Sequence, residues 1–385
     1  MLSPEELAGW LRLGATAGIG RATGRRLLAA LGSPERVLAA DQDTLAALAG
    51  PDVARLLKRR DDRDDAQVDA TERWLADTNG AAPRDLVVLG DARYPDLLLS
   101  TADPPLLLFT LGRVDLLSAP SVAIVGSRGA TPQGLDNARE FGRFLSERKL
   151  TIVSGLAMGI DGAAHEGGLA GEGSTVAFVG TGLDQVYPRR HAALMRRIAE
   201  QGLVASEFPL GTAGLSHHFP QRNRLIAGIS LGTLVVEAAV ASGSLITARM
   251  ALEAGREVFA IPGSIHAPQS RGCHRLIQEG AKLVATGDDV LQELRLAMGA
   301  RAPAARMSVP QASLFAIQRD EAEAKAPGAD AALVAALGHD PVTVDALAAR
   351  TGLPADRLAG RLLELELAGQ LQRLPGGLLQ RRTAT

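Results

Sequence analysis

The run Ser121-Val122-Ala123-Ile124-Val125-Gly126-Ser127-Arg128-Gly129 begins as unbroken apolar chain and ends in a small polar loop carrying one cation. An apolar run without alternation is what a strand buried on both faces of a parallel sheet requires. The residues from Pro132 to Arg148 then read as a helix. The same unit recurs outward. Thr151-Ile152-Val153 leads into Ser154-Gly155-Leu156-Ala157-Met158-Gly159-Ile160-Asp161-Gly162, whose helix carries His165. Thr175 to Val179 leads into Gly180-Thr181-Gly182, followed by a helix over Arg189 to Gln201 and a short strand, Leu203 to Glu207. Gly232 to Val236 closes with Glu237, and Ser242-Gly243-Ser244 opens a helix from Leu245 to Gly255. Val258 to Ile261, a helix over Gly272 to Glu279 and an edge strand at Lys282-Leu283-Val284 complete the series. Strand and helix alternating at this spacing predict an α/β fold with a doubly wound, mostly parallel sheet. Ligands of such sheets gather at strand C-terminal ends, where loop amides and helix N-termini attract anions.

The chain has 385 residues, is 46% apolar and 22% charged, and carries a net charge of −2. Several domains with ordinary cores are expected, and any nucleic-acid surface must be a local patch. The single cysteine, Cys273, excludes an internal disulfide and a CxxC metal site. The acidic N-terminus lacks a signal-peptide core, and the apolar run Ile229–Ala248 is interrupted by Glu237, glycines and serines. A cytoplasmic protein without membrane insertion is the expectation.

Around the sheet domain, placed at 121–295, residues 1–80 read as a helical domain in which Gly18-Ile19-Gly20 joins two helices. That turn fits a helix–hairpin–helix or SAM-like unit, or a plain helical hairpin. Residues 81–120 read as a connector with two short strands, and the Ala/Pro-rich 296–328 as a flexible linker. In 329–385 the expected order is a helix Ala331–Leu337 capped by Asp330, a helix Val344–Arg350, a third over Asp356–Ala368 ended by Gly369, and a wing at 371–380. This is the pattern of a winged helix. Its third helix sets Arg357 and Arg361 among Asp356, Glu364 and Glu366, a poor match for a DNA groove.

The candidate ligand residues lie at the loops and in His217-His218-Phe219-Pro220-Gln221-Arg222-Asn223-Arg224. Pro220 suits a helix's first turn. Two arginines at that end oppose the helix dipole, which suggests an anion nearby. Phe219 beside a forked cation can stack a base while the cation takes phosphate; an aromatic staple with solvated arginines is the plain alternative. No GxGxxG with a ribose-reading acid and no GxxxxGK[ST] occurs, which disfavours a nicotinamide cofactor and a P-loop ATPase. Asp161 and His165, four apart, fit a metal or acid–base pair, or a helix-start aspartate with a packed histidine. Glu237 fits a general base, or a buried carboxylate bonded to amides. His191, His217 and His218 show no metal spacing. No cofactor is expected.

Taken in order, Val125–Arg128, Ser154–Asp161 with His165, Gly180–Asp184 followed by Tyr187-Pro188 and His191, Ser206-Glu207-x-Pro209, Phe219-Pro220-x-Arg222-Asn223-Arg224, Glu237-Ala238 with Ser242–Ser244 and Thr247-Ala248, and Gly255–Gly263 with Gly280-Ala281 resemble the DNA-processing protein A family, also called Smf. The similarity covers about 94–285, and the flanking domains fit the family's longer members. The resemblance implies a non-enzymatic, homodimeric protein that binds and protects single-stranded DNA entering the cell in natural transformation and helps load a RecA-type recombinase on it. It implies a DNA pocket of Gly126, Ser127, Arg128, Gly155, Phe219, Arg222, Asn223, Arg224, Ser242, Gly243 and Ser244. It also implies a dimer contact through Cys273, His274, Ile277 and Leu283 near an apolar sheet edge. Many members carry lysine where Ser216 stands, so Arg189 or Arg190 is the expected replacement. A nucleotide-derivative hydrolase on a related fold, using Glu237 or Asp161, is the alternative.

Overall fold

A computed structural model describes residues 2–300 apart from 16–17, 60–61, 79 and 81, and beyond these 333, 336–338, 341–367, 370–374 and 378–381. Six helices come first: α1 (Pro4–Ala15), α2 (Arg21–Leu31), α3 (Pro34–Ala39), α4 (Gln42–Ala49), α5 (Pro51–Lys58) and α6 (Asp62–Ala76). After them run β1 (Arg84–Val88), α7 (Asp96–Leu99), β2 (Leu107–Gly112), β3 (Ser121–Val125), α8 (Pro132–Glu147), β4 (Thr151–Ser154), α9 (Ile160–Gly168), β5 (Thr175–Phe178), α10 (Ala192–Gln201) and β6 (Leu203–Ser206). Then come α11 (His218–Ile229), β7 (Gly232–Val235), α12 (Gly243–Glu253), β8 (Glu257–Ala260), α13 (Arg271–Gln278), β9 (Lys282–Leu283) and α14 (Gly287–Ala300).

The nine strands form one sheet in the order β1-β2-β6-β5-β4-β3-β7-β8-β9. From β6 to β9 all neighbours are parallel, whereas β1–β2 and β2–β6 are antiparallel. The expected connector is therefore more than a spacer, because its two strands extend the sheet beyond β6. Side chains of β3 divide by the period of two. Val122 and Ile124 pack with α8, α9 and α14, while Ala123 and Val125 pack with α11, α12 and α13. Both faces are covered, which is why the run is apolar throughout. Thr131 caps α8 by accepting from the Gly134 amide, with Pro132 at the first helical position.

The N-terminal helices share one core with the sheet: Leu7, Trp10, Leu27 and Leu57 cluster with Leu86, Leu106, Phe109 and Val204. The Gly18–Gly20 turn serves that packing. Gly18 has φ +92°, Gly24 lies against the Leu106 side chain, and Arg21 reaches Asp103 and Glu207. At the other end, α14 runs to Ala300, into the segment expected to be linker. Helices Val344–Thr351 and Ala355–Leu367 and a hairpin of β10 (Leu371–Leu374) with β11 (Leu378–Arg381) match the winged-helix reading. The expected Asp330 cap and Gly369 stop lie outside the described residues. Arg361 pairs with Glu364 on the exposed face of the wing's helix.

Candidate functional site

The chain runs β3, β4, β5, β6 to one side of β3 and then returns to place β7 on the other, so the loops after β3 and β7 diverge at a topological switch point. A cavity of about 480 Å³ opens there. Its walls are the 126–129 loop, Ala157 and Asp161, the 241–244 turn, and Phe219, Arg222 and Asn223 of α11. The Ser127 amide donates to the Glu237 carbonyl, while those of Arg128 and Gly129 have no partner among the described residues. Ser242 caps α12, accepting from the Ser244 amide, and the two hydroxyls lie 2.7 Å apart. The result is a groove edged by free amides, hydroxyls and a helix N-terminus, the furniture of an anion site.

Helix α11 starts at His218, so Phe219 and Pro220 sit in its first turn. The Arg128 guanidinium lies 5.3 Å from the Phe219 ring centre. Arg222 is buried to 3% exposure. Its Nη1 donates to the carbonyls of Gly155 and Phe178, and its Nε to Asn223 Oδ1. It thereby ties the ends of β4 and β5 to α11, while Nη2 has no hydrogen bond to a described residue. A Cβ at Gly155 would stand 2.2 Å from that guanidinium, so a larger residue there would displace Arg222. Burial lowers the Arg222 pKa to about 10, with the Asp161 carboxylate opposing the shift, so the group stays charged at neutral pH. Asp161 accepts from the Gly155 and Ala157 amides, and burial raises its pKa.

Other expected residues are placed differently. Arg224 points away from the groove and pairs with Glu207 and Asp103, beside Arg21 and Arg25. A turn further into a buried helix than Phe219, it meets the acid that ends β6 instead of solvent. Cys273 is 1% exposed, its thiol aimed at the carbonyls of Val235 and Val236 and its pKa pushed by burial up to about 12, so it belongs to the core and not to a contact surface. His274 is half-buried with Nε2 2.9 Å from the Gly263 carbonyl, Ile277 packs partly against the core, and Leu283 is 54% exposed on β9. Of the four, Leu283 alone is openly displayed.

The acid–base candidates are each held in hydrogen bonds within the fold. His165 is fully buried, Nε2 accepting from the Leu156 amide. Thr175 donates to the Ile152 carbonyl, so its oxygen accepts from His165 Nδ1. That arrangement holds the ring neutral, and burial lowers its pKa to about 3. Glu237 accepts from the Thr131 amide and hydroxyl, a carboxylate strut at the α8 N-terminus. Among the described residues no three His, Cys, Asp or Glu gather to hold a metal ion.

Tyr187, quoted with Pro188 among the sequence motifs but given no place in the pocket, lies beside it. Its ring lies 5.3 Å from that of Phe219, tilted by 32°, so Arg128 and Tyr187 are both neighbours of the Phe219 ring. A second cavity of about 60 Å³ opens beside it, lined by Met158, Gly180, Thr181 and Pro188. The Tyr-Pro pair before two arginines was the available signal.

Comparison with known proteins agrees with this architecture. A family model described as DNA recombination-mediator protein A matches residues 85–295, and one described as DprA winged helix domain matches 318–377. Protein Smf of Escherichia coli is 42% identical over 312 residues, 81% of this chain and 80% of its own length. DNA processing protein DprA of Streptococcus pneumoniae is 52% identical over 203 residues, 53% of this chain and 72% of its own. The X-ray structure of the S. pneumoniae protein superposes with a TM-score of 0.65 at 38% identity, covering 76% of this chain and 98% of that one. A Helicobacter pylori DprA structure, described as revealing its single-stranded DNA binding mode, superposes with a TM-score of 0.50 at 28% identity, over 55% of this chain and 96% of its own. No helix among the described residues is long and apolar enough to cross a membrane.

Proposed function

Because the chain belongs to the DNA recombination-mediator protein A family, we propose that the groove between the 126–129 loop and α11 binds single-stranded DNA and that the protein delivers that strand to a RecA-type recombinase in natural transformation. The observation that carries this reading is the cluster of Arg128 and Tyr187 around the Phe219 ring, at the edge of a groove of free amides and hydroxyls. A sequence-tolerant single-strand site needs both halves: π-faces for bases and donors for the backbone. Arg128 and the free edge of Arg222 supply the cations. Ser216 is exposed and uncharged, and Arg189 and Arg190, exposed just past that cluster, take the place of the missing lysine. Asn223 lines the groove and orients Arg222, while Arg224 acts by positioning α11.

The role is binding without catalysis. Both carboxylates a hydrolase would use, Glu237 and Asp161, already accept two hydrogen bonds each from backbone or hydroxyl donors. The protein works as a homodimer joined at the open β9 edge, with Leu283, Ile277 and His274 in the contact. The test is a titration of a fluorescent single-stranded oligonucleotide at two salt concentrations, with a duplex competitor. Single-strand preference, with binding weakened by Phe219→Ala and by Arg128→Ala, supports the reading. Binding that is absent, or indifferent to both substitutions, overturns it.

A further inference from the structure

We propose that a single strand leaving the groove crosses Tyr187 and continues over the exposed face of α10, its bases on an apolar rim and its phosphates on Arg196 and Arg197. The inference rests on the reading of the groove as a single-strand site. It starts from the rim. Val186, Tyr187 and Leu215 are large apolar side chains left exposed, Tyr187 at 48%. They lie on two loops that meet, since a Cβ on Gly214 would stand 3.3 Å from the Tyr187 ring. Tyr187 lies 5.3 Å from the Phe219 ring, so the apolar rim adjoins the groove's own aromatic ring.

The cations follow at once. Arg189 and Arg190 come directly after Pro188, which lines the smaller cavity, and α10 then buries Leu194, Met195, Ile198 and Ala199. That leaves Arg196 and Arg197 outward on the face opposite the core. Six residues of helix carry the chain about 9 Å from Arg190 to Arg196, within reach of the nucleotides next in line. None of these four arginines has an acidic partner among the described residues. Arg139 and Arg143, similarly exposed on α8, are each held by carboxylates. Glu200 is the one acid on the exposed face of α10, and Asp184 at the rim is engaged by the Gly211 amide. Unpaired arginines beside exposed aromatic surface suit a strand that is held by its backbone and stacked by its bases. A protein partner recognised by this face would be expected to bring acids to the arginines.

The experiment uses the full chain and two oligothymidylates, one of about 6 nucleotides that fills the groove and one of about 20 that runs past it. Arg196→Ala/Arg197→Ala should leave the short oligonucleotide's affinity at the wild-type value. For the long one it should lower the log–log salt slope by about 1.4, which is 0.7 for each of two phosphates. Tyr187→Ala should weaken the long oligonucleotide by roughly 5- to 150-fold, the loss of one stacked base, and Tyr187→Phe should restore it. A long oligonucleotide bound by the double-arginine variant with the wild-type slope overturns the path, as does an equal loss for both lengths in that variant. Wild-type protein that binds neither length removes the groove reading, and the path with it.

Discussion

Arg224→Ala separates a positioning arginine from a DNA-binding one. Arg224 is 15% exposed at its side chain and Glu207 6%, so the substitution strands a buried carboxylate. Removing one partner of a buried pair costs about 3–5 kcal/mol in general. Two features reduce it here. Arg21 remains 3.4 Å from Glu207. Protonation also sets a ceiling, since a carboxyl with an ordinary pKa of 4.5 is neutralised at pH 7 for about 3.4 kcal/mol, 1.36 per unit. The expected loss is about 2–3 kcal/mol in urea unfolding at pH 7. Burial already holds the Glu207 pKa above its unfolded value, and losing Arg224 raises it further. A carboxyl whose folded pKa is raised destabilises as pH climbs through the window from the unfolded to the folded value. The penalty must therefore shrink at acid pH, and Glu207→Gln added to Arg224→Ala must recover part of it. The folded variant should keep the wild-type salt slope for single-stranded DNA. A variant of unchanged stability whose slope falls by about 0.7 would refute the reasoning, because Arg224 would then be holding a phosphate.

Four further substitutions have expected outcomes. Phe219→Ala should weaken single-strand binding by about 1–3 kcal/mol, and Arg128→Ala should lower the salt slope by about 0.7 with little change in unfolding. Glu237→Gln should lower stability by about 1–2 kcal/mol through the α8 cap and strut, while nucleotide turnover stays at background in both proteins; turnover in wild type that the substitution abolishes would make Glu237 a catalytic base. His165, held neutral with its pKa lowered to about 3, is protonated first in the unfolded chain. Stability should thus fall as pH drops below about 6.5, by about 2 kcal/mol between pH 7 and 5 from this group, and His165→Asn should flatten that part of the urea–pH profile.

What the sequence made legible was periodic. The apolar runs at 122–125 and 152–153 have no polar face, and each is followed by Gly and Ser where the chain must turn at a strand end, so sheet and groove could both be located. What escaped depends on partners remote along the chain. Arg224 looks like a ligand residue until Glu207 and Asp103 are brought to it from other loops. Cys273 and Leu283 look alike as apolar edge residues, but α13 turns the first into the core while β9 leaves the second open. Tyr187 sits in a stretch with no helical or strand period, where nothing local says which way a side chain will face. The connector strands gain their place only by pairing with a strand nearly a hundred residues on.

That last pairing sets a clock. β2 takes its place between β1 and β6, Phe109 opposite Ser206 and Gly112 opposite Leu203. On a ribosome adding about 5–20 residues per second, the hairpin of β1 and β2, with the helical cluster resting on it, waits roughly 5–20 s for β6 to be made. During that wait the β2 edge is an open template. The N-terminal third of the chain is the first part to emerge, yet it carries an unpaired strand edge until residue 206 has been made.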